Sequence, residues 1–167
     1  MREMTKQNLK AAFAGESQAH MKYLAFAERA EQEGKPNAAR LFRALSFAEQ
    51  VHALKHLQVL GEVGSTADNL ATANAGETFE VEEMYAAFVA VSELQGEAPA
   101  TRSMSRAQQA EKVHANLYAQ AREAVVAGQD ADMPSVYVCP FCGYAHVGSA
   151  PDKCPICGAA KDQFRAF

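Results

Sequence analysis

The feature that most restricts the fold of this sequence is a helical unit that occurs twice and carries acidic residues on its apolar face. The segment AEQVHA at 48–53 matches AEKVHA at 110–115, 62 residues later. In each segment a glutamate and a histidine lie three residues apart, so on a helix they share one face. A carboxylate that faces the interior of a helix bundle needs a partner, a proton or a metal. The matched pairs are Glu49 with His52 and Glu111 with His114.

The repeat extends beyond these two pairs. Tyr23, Phe26, Glu31 and Gly34 recur at the same offset as Tyr85, Phe88, Glu93 and Gly96. The stretch AGES at 14–17 resembles AGET at 75–78 at an offset of 61, so one residue must be inserted between the two registers. The chain therefore contains two copies of one helical hairpin, each with its own Glu and Glu-x-x-His.

Glycine and proline positions divide the chain into helices and connections. Gly34 with Pro36, Gly61, Gly96 with Pro99, and Gly128 are typical helix stop and start signals. We predict helices over about 5–33, 37–60, 77–95 and 99–127, with a crossover loop over 61–76. This pattern predicts an all-α four-helix bundle with one crossover. The predicted domains are the bundle at 1–128, a linker at 129–135 and a small domain at 136–167.

The acidic residues and histidines fit the template of a dinuclear metal site. One Glu from each of two helices, with Glu-x-x-His from each of the other two, is the di-iron carboxylate arrangement. Helical rise brings the ligands of each antiparallel hairpin to within about one turn of each other. Oxygen ligands with one imidazole per metal suit iron or manganese. The predicted ligands are Glu16, Glu49, His52, Glu77, Glu111 and His114.

The third helix offers a further carboxylate, and its assignment is the least certain. Glu80 lies three residues after Glu77 and shares its face. Glu82 and Glu83 are competitors, although acidic residues also favour a solvated helix start. We prefer Glu77 and Glu80 because the repeat pairs Glu77 with Glu16.

Two tyrosines are candidates for hydrogen bonds to ligating carboxylates. Tyr23 lies seven residues after Glu16, two turns along the same face, and Tyr85 lies five residues after Glu80. Packing inside the bundle is an equally good explanation of both tyrosines. His20 and His56 are interpreted as polar packing or as supports of the ligands.

All four cysteines lie near the C-terminus in two Cys-Pro-x-Cys-Gly elements. They are Cys139 with Cys142, and Cys154 with Cys157. Four thiolates form a tetrahedral site for zinc or for a single iron. The pattern cannot choose between the two metals, and a structural zinc would by itself allow such a short domain to fold.

The composition limits the partners and the location. The net charge of −4 and the absence of a basic patch argue against nucleic acid. The polar N-terminus lacks a signal core, and no apolar run approaches the length of a membrane span. We therefore expect a cytoplasmic protein that does not enter a membrane.

Together these motifs resemble the rubrerythrin family over nearly the whole chain. The resemblance implies a ferritin-like bundle with a di-iron centre and a rubredoxin-like domain with one Fe(Cys)4, for which zinc is an alternative occupant. It implies that Glu80 is a seventh ligand of the di-iron site. His52 is similar to the ligand of the family that exchanges with the extra carboxylate, here Glu80, when the redox state changes. Tyr23 and Tyr85 fall at the positions of the family's carboxylate-supporting tyrosines.

The activity implied by the resemblance is reduction of hydrogen peroxide to water by an oxidoreductase. Electrons would come from a pyridine-nucleotide-dependent rubredoxin reductase, or from rubredoxin, through the iron of the cysteine domain. By helical rise, that domain leaves the last helix roughly 20 Å from the level of His114. A head-to-tail homodimer would bring one chain's cysteine domain beside the other chain's bundle. The crossover is also short enough for two chains to exchange hairpins.

Three other functions stay open on sequence grounds. A ferroxidase or iron-storage protein uses the same bundle, but the appended cysteine domain fits it poorly. A non-catalytic zinc-binding module with a salt-bridged bundle is a second alternative, although the further carboxylate and the fused cysteine domain favour a peroxide reductase. Reduction of oxygen in place of peroxide is a close variant of the proposed chemistry.

Overall fold

The computed structural model describes residues 1–167 and is mostly helical. Its helices are α1 (Glu3–Gln32), α2 (Pro36–Leu60), α3 (Thr66–Phe79), α4 (Tyr85–Leu94) and α5 (Ala98–Val126). A π-helical turn, Glu80–Met84, joins α3 to α4 without a break, so the chain has four long helical segments. Three short strands follow: β1 (Val136–Val138), β2 (Ala145–Val147) and β3 (Arg165–Ala166). No helix is both long enough and apolar enough to span a membrane.

The chain forms two compact units, Met1–Gly64 and Ser65–Phe167. The first unit is the hairpin of α1 and α2. Its buried positions are occupied by small residues, which lets the two helices approach closely. They are Ala27, Ala30, Ala39, Ser46 and Ala53. The close approach brings polar side chains of the two helices within reach of each other.

In the second unit, α5 packs against α3 and α4, and β2 also contacts α5. The antiparallel sheet has the order β2-β1-β3, with Tyr137 of β1 opposite His146 and Ala166. The cysteine-rich domain thus combines a small sheet with the two Cys-Pro-x-Cys-Gly elements, 139–143 and 154–158, which we call the knuckles. A 3₁₀ turn, Lys161–Gln163, precedes β3.

The predicted crossover loop over 61–76 is wrong in its second part. Gly61, at φ 70°, ends α2, but α3 already begins at Thr66. Ser65 and Asp68 form a capping box: the Asp68 N–H donates to Ser65 Oγ at 3.2 Å, and the Ser65 N–H donates to Asp68 Oδ2 at 3.3 Å. This reciprocal pair satisfies amides at the helix start. The segment 61–76 resembled a loop in the sequence because its residues are mostly small or polar.

The inserted residue that the repeat requires coincides with the π-turn. The offset of the repeat is 61 up to Thr78 and 62 from Tyr85, and the π-turn lies between these positions. Here the Tyr85 N–H donates to the Glu80 carbonyl, five residues back. An α-helical bond spans four residues, so the π-turn accommodates one extra residue without ending the helix.

The capping box gives a first prediction. Ser65→Ala removes the side-chain acceptor at the start of α3 and should lower the free energy of unfolding by about 1 kcal/mol. Urea unfolding of the metal-free chain measures the change. Thr72→Ala, within the same helix, is the control and should be neutral or slightly stabilising, because alanine has the higher helix propensity. Equal unfolding midpoints for the two variants would contradict a role of Ser65 in starting α3.

Candidate metal centres

The first cluster of metal-type ligands lies between α1 and α2. Donor atoms of Glu16, Glu49 and His52 all lie within 4.8 Å of one another, and we call these residues the first half-site. Glu49 Oε2 is 3.1 Å from His52 Nδ1. One turn away, the buried Ser46 hydroxyl donates to the His20 carbonyl at 2.9 Å and also contacts His20 Nδ1 at 2.9 Å. His20 therefore serves the contact between the helices.

The second half-site repeats this arrangement in the other unit. Donor atoms of Glu77, Glu111 and His114 lie within 4.8 Å of one another. His114 Nδ1 is 2.6 Å from Glu111 Oε2 and 3.8 Å from Glu77 Oε1. The spacing Glu-x-x-His places the two α5 ligands on one face, and α3 supplies the third. The structure thus brings six sequence-predicted ligands together as two matched sets of three.

Electrostatics at the second half-site favour a cation. Burial, and then the hydrogen bond and negative charge of Glu111, raise the pKa of Glu77 to about 7. Burial and the charge of Glu111 also raise the pKa of Glu80. Glu77 and Glu80 therefore release their protons less readily than free carboxyl groups, and a bound dication would favour their ionised forms. Carboxylate oxygens combined with an imidazole are also ligand types that suit iron.

The structure distinguishes between the acidic candidates of the third helix. Glu77 and Glu80 are half-buried, whereas Glu82 and Glu83 are exposed. Glu80 lies outside the close set of three donors, but its carboxyl group interacts with Glu111 and His114. It is thus beside the second half-site without belonging to its tight cluster.

The two tyrosines differ in their surroundings. Burial, followed by the charges of Glu80, Glu111 and Glu77, raises the pKa of Tyr85, which places its hydroxyl near the carboxylates. Tyr23 instead packs in an aromatic group with Phe26 and Phe42, with ring centroids 6.2 Å away in each case. The two tyrosines therefore do not have equivalent environments.

His114 is held at both ring nitrogens. Its Nε2 is 2.9 Å from the Gly143 carbonyl of the cysteine-rich domain. A carbonyl can only accept, so Nε2 carries the proton and donates. The 2.6 Å contact between Nδ1 and Glu111 holds a proton when no metal is bound; a metal that displaced this proton would meet the Nδ1 lone pair, on the side of Glu111 and Glu77. Sequence reasoning missed this contact because it joins residues 29 positions apart.

The four cysteines converge in the C-terminal domain and form no disulfide. Cys139 Sγ is 3.5 Å from Cys157 Sγ, and Cys142 Sγ is 3.5 Å from Cys154 Sγ. Although burial opposes ionisation, backbone N–H groups of Cys157 and Ile156 lower the pKa of Cys154 to about 7. Burial raises the pKa of Cys142. Four converging sulfurs at this spacing fit a tetrahedral metal ion.

Comparisons with known proteins agree with both sites. Residues 7–122 match the family model of rubrerythrin, and residues 137–165 match that of the rubrerythrin rubredoxin-like domain. The chain is 39% identical to rubrerythrin-2 of Clostridium acetobutylicum, covering 98% of this chain and 97% of the relative. It is 37% identical to nigerythrin of Nitratidesulfovibrio vulgaris, covering 98% and 86%.

A solved structure extends the likeness to the fold. A partially reduced state of nigerythrin has a TM-score of 0.59 at 37% identity and covers 98% of this chain and 86% of that one. The fold class predicted from the sequence, ferritin-like helices with a rubredoxin-like domain, is confirmed. The cofactors are a di-iron centre held by carboxylate and histidine ligands and one iron in the four-cysteine site. The chain is an oxidoreductase that belongs to the rubrerythrin family.

Proposed function

We propose that this protein is a peroxidase that reduces hydrogen peroxide to water with electrons delivered through its Fe(Cys)4 site. The observation that carries the proposal is the hydrogen bond from His114 to Gly143, which joins the second half-site directly to the cysteine-rich domain. When bound, two neighbouring ferrous ions supply the two electrons that cleavage of the O–O bond requires. Two protons taken up from the surroundings complete two water molecules.

The link between the two sites lies within one chain. Gly143 follows Cys142 and has φ +79°, and a Cβ built on it would lie 3.9 Å from Cβ of Ala110, one turn before His114. The knuckle thus lies directly on α5. Sequence reasoning invoked a head-to-tail partner to bring a cysteine domain to this level, but the chain's own domain makes the contact. A head-to-tail dimer is therefore unnecessary for this contact.

The two knuckle glycines provide a matched test of this link. Gly143 and Gly158 both have φ +79°, but a Cβ on Gly158 would meet nothing within 4 Å. Gly143→Ala and Gly158→Ala should therefore introduce similar backbone strain. A Cβ on Gly143 would make only an ordinary contact with Ala110, but the backbone strain acts on the residue whose carbonyl accepts from His114. Gly143→Ala should therefore displace that carbonyl and slow electron transfer out of the Fe(Cys)4 site by about tenfold or more.

The measurement is stopped-flow absorbance of the Fe(Cys)4 chromophore after the fully reduced, iron-loaded protein is mixed with hydrogen peroxide. Reoxidation should slow in Gly143→Ala and stay close to wild type in Gly158→Ala. Equal rates in both variants would mean that the His114–Gly143 contact is not part of the relay.

We further propose that seven side chains hold the two metal ions of the di-iron site. They are Glu16, Glu49, His52, Glu77, Glu80, Glu111 and His114. His52 and Glu80 are the exchanging pair: the structure gives the His52 ring one partner, Glu49, and its side chain is 56% exposed, against 24% for His114. The less restrained imidazole has the lower barrier to leaving its site.

Glu80→Ala tests this assignment. Because Glu80 lies outside the close set of three donors, its loss should leave iron binding largely intact. Peroxide turnover should fall by about tenfold or more, since a ligand of the oxidised state is lost. Iron analysis and steady-state kinetics with hydrogen peroxide provide the two readouts. Glu82→Ala, an exposed glutamate of the same π-turn, is the control, and turnover unchanged in both variants would remove Glu80 from the mechanism.

Tyr85 is proposed to hydrogen-bond the carboxylates and to deliver protons near them. Its proximity to Glu80, Glu111 and Glu77 supports this role. Tyr23 remains a prediction from the family resemblance, because the described contacts of its ring are with Phe26 and Phe42.

We propose that the protein works as a homodimer in which two chains exchange hairpins. The domain division at 1–128, 129–135 and 136–167 then describes one chain's contribution. Leu41, Leu45 and Val59 lie on the same α2 face as Glu49 and His52, and all three are exposed in the single chain. Such an apolar stripe beside metal ligands needs a covering layer, and the matching face of a second copy is the natural occupant.

Light scattering tests the dimer, and two leucines test its surface. The wild-type chain should be a dimer. Leu45→Glu places a charge on the α2 stripe, where Leu45 is 44% exposed, and should give a monomer that loses iron from the carboxylate site. Leu94→Glu changes a leucine that is 88% exposed at the end of α4 and should remain a dimer. A monomeric wild-type protein with full di-iron content would reject the hairpin exchange.

Electrons are proposed to enter at the exposed edge of the cysteine-rich domain. Phe141, between Cys139 and Cys142, is exposed, and Pro140 and Pro155 are exposed beside it. A pyridine-nucleotide-dependent rubredoxin reductase, or rubredoxin, is the proposed donor at this apolar edge. A cytoplasmic location fits the reduced thiols that the site requires.

A further inference from the structure

Gln108 makes a contact with the π-turn that the set of proposed ligands does not explain. Its side-chain Nε2 on α5 donates to the backbone carbonyl of Val81 at 2.8 Å. Gln108 is half-buried and lies 27 residues from its partner. Val81 directly follows Glu80, so this hydrogen bond is made beside the carboxylate that we propose to exchange.

The π-turn alters the hydrogen bonding of this carbonyl. In an α-helix the Tyr85 N–H would donate to Val81, four residues back. In the structure it donates to Glu80, five residues back. The Val81 carbonyl thus loses the partner that a regular helix would provide, and leaving a partly buried carbonyl without one is costly. The Gln108 amide provides the replacement.

The first hairpin of the repeat has a simpler version of this hydrogen bond between its helices. There the Ser46 hydroxyl donates to the His20 carbonyl at 2.9 Å, within a regular α-helix. Ser46 corresponds to Gln108 at the offset of 62, and His20 corresponds to Val81 at the offset of 61. Both hairpins therefore tie their helices together at this level. Only the second one does so with a long amide that is bonded to a π-turn.

We propose that Gln108 is a positioning residue that holds the π-turn in the register that directs Glu80 toward Glu111 and His114. The inference rests on the proposed function in one respect, the exchange of Glu80. Without the amide, the freed carbonyl would favour rearrangement of the turn, and Glu80 would lose its defined orientation. The carboxylate would still be present but would reach the site less often.

Gln108→Met tests the proposal because methionine keeps the length of the side chain and removes its donor. Gln109→Met is the matched control: Gln109 is exposed, and its Nε2 donates to Ser105 within the same helix at 3.1 Å. Hydrogen exchange of the metal-free, full-length protein is compared at the amides of residues 82–86. Exchange should be about fivefold faster in Gln108→Met, as expected for the loss of one net hydrogen bond, and unchanged in Gln109→Met. Gln108→Lys, which restores an N–H donor, should regain protection.

The iron-loaded variants provide a readout that general destabilisation would not produce. In Gln108→Met, kcat for hydrogen peroxide should fall by about tenfold at similar KM, because Glu80 acts after peroxide binds. Equal exchange rates in the two methionine variants, or a wild-type kcat in Gln108→Met, would overturn the proposal. If the wild-type protein does not reduce peroxide, the proposed function fails, and the hydrogen-exchange comparison alone decides whether Gln108 holds the π-turn.

Discussion

The mutual repulsion of carboxylates at the helix contacts is the constraint on which the rest of the structure depends. Glu77 and Glu111 approach closely enough that burial and the neighbouring charge raise the pKa of Glu77 to about 7. An apolar core would avoid this cost, and the histidine beside the carboxylates makes a bound cation the compensation that best fits this set of side chains. Small residues such as Ala39 and Ser46 are buried between α1 and α2 and let these two helices pack closely. Close helix packing and unfavourable charge therefore occur together at the half-sites.

The two halves of the repeat have similar ligands but different restraints. His114 is fixed by Glu111 at Nδ1 and by Gly143 at Nε2, whereas Glu49 is the one partner that the structure gives to His52. The second half also contains the π-turn and Glu80, which the first half lacks. The two half-sites therefore have matching side chains but asymmetric surroundings. Such asymmetry suits chemistry in which one ligand moves and its counterpart stays in place.

The sequence predicted those features that depend on local spacing. Helix ends followed from residues such as Gly34 and Gly61, and the two half-sites followed from Glu-x-x-His. The start of α3 was missed because small and polar residues concealed the capping box of Ser65 and Asp68. The bond from Gln108 to Val81 and the bond from His114 to Gly143 could not be predicted, since each depends on how separate segments pack. Local pattern therefore identified the side chains that cluster, and packing determined the contacts that hold them in place.

The contact between His114 and Gly143 gives the cysteine-rich domain a second influence on the metal site. A neutral imidazole has one N–H group, so a carbonyl that accepts from Nε2 determines that Nδ1 presents the lone pair. The knuckle that places the Gly143 carbonyl carries Cys139 and Cys142, which cluster with the other two cysteines and would be organised by a bound metal. Correct folding of the cysteine site therefore sets the tautomer and orientation of His114 before any electron moves. The two sites are therefore coupled structurally through this hydrogen bond.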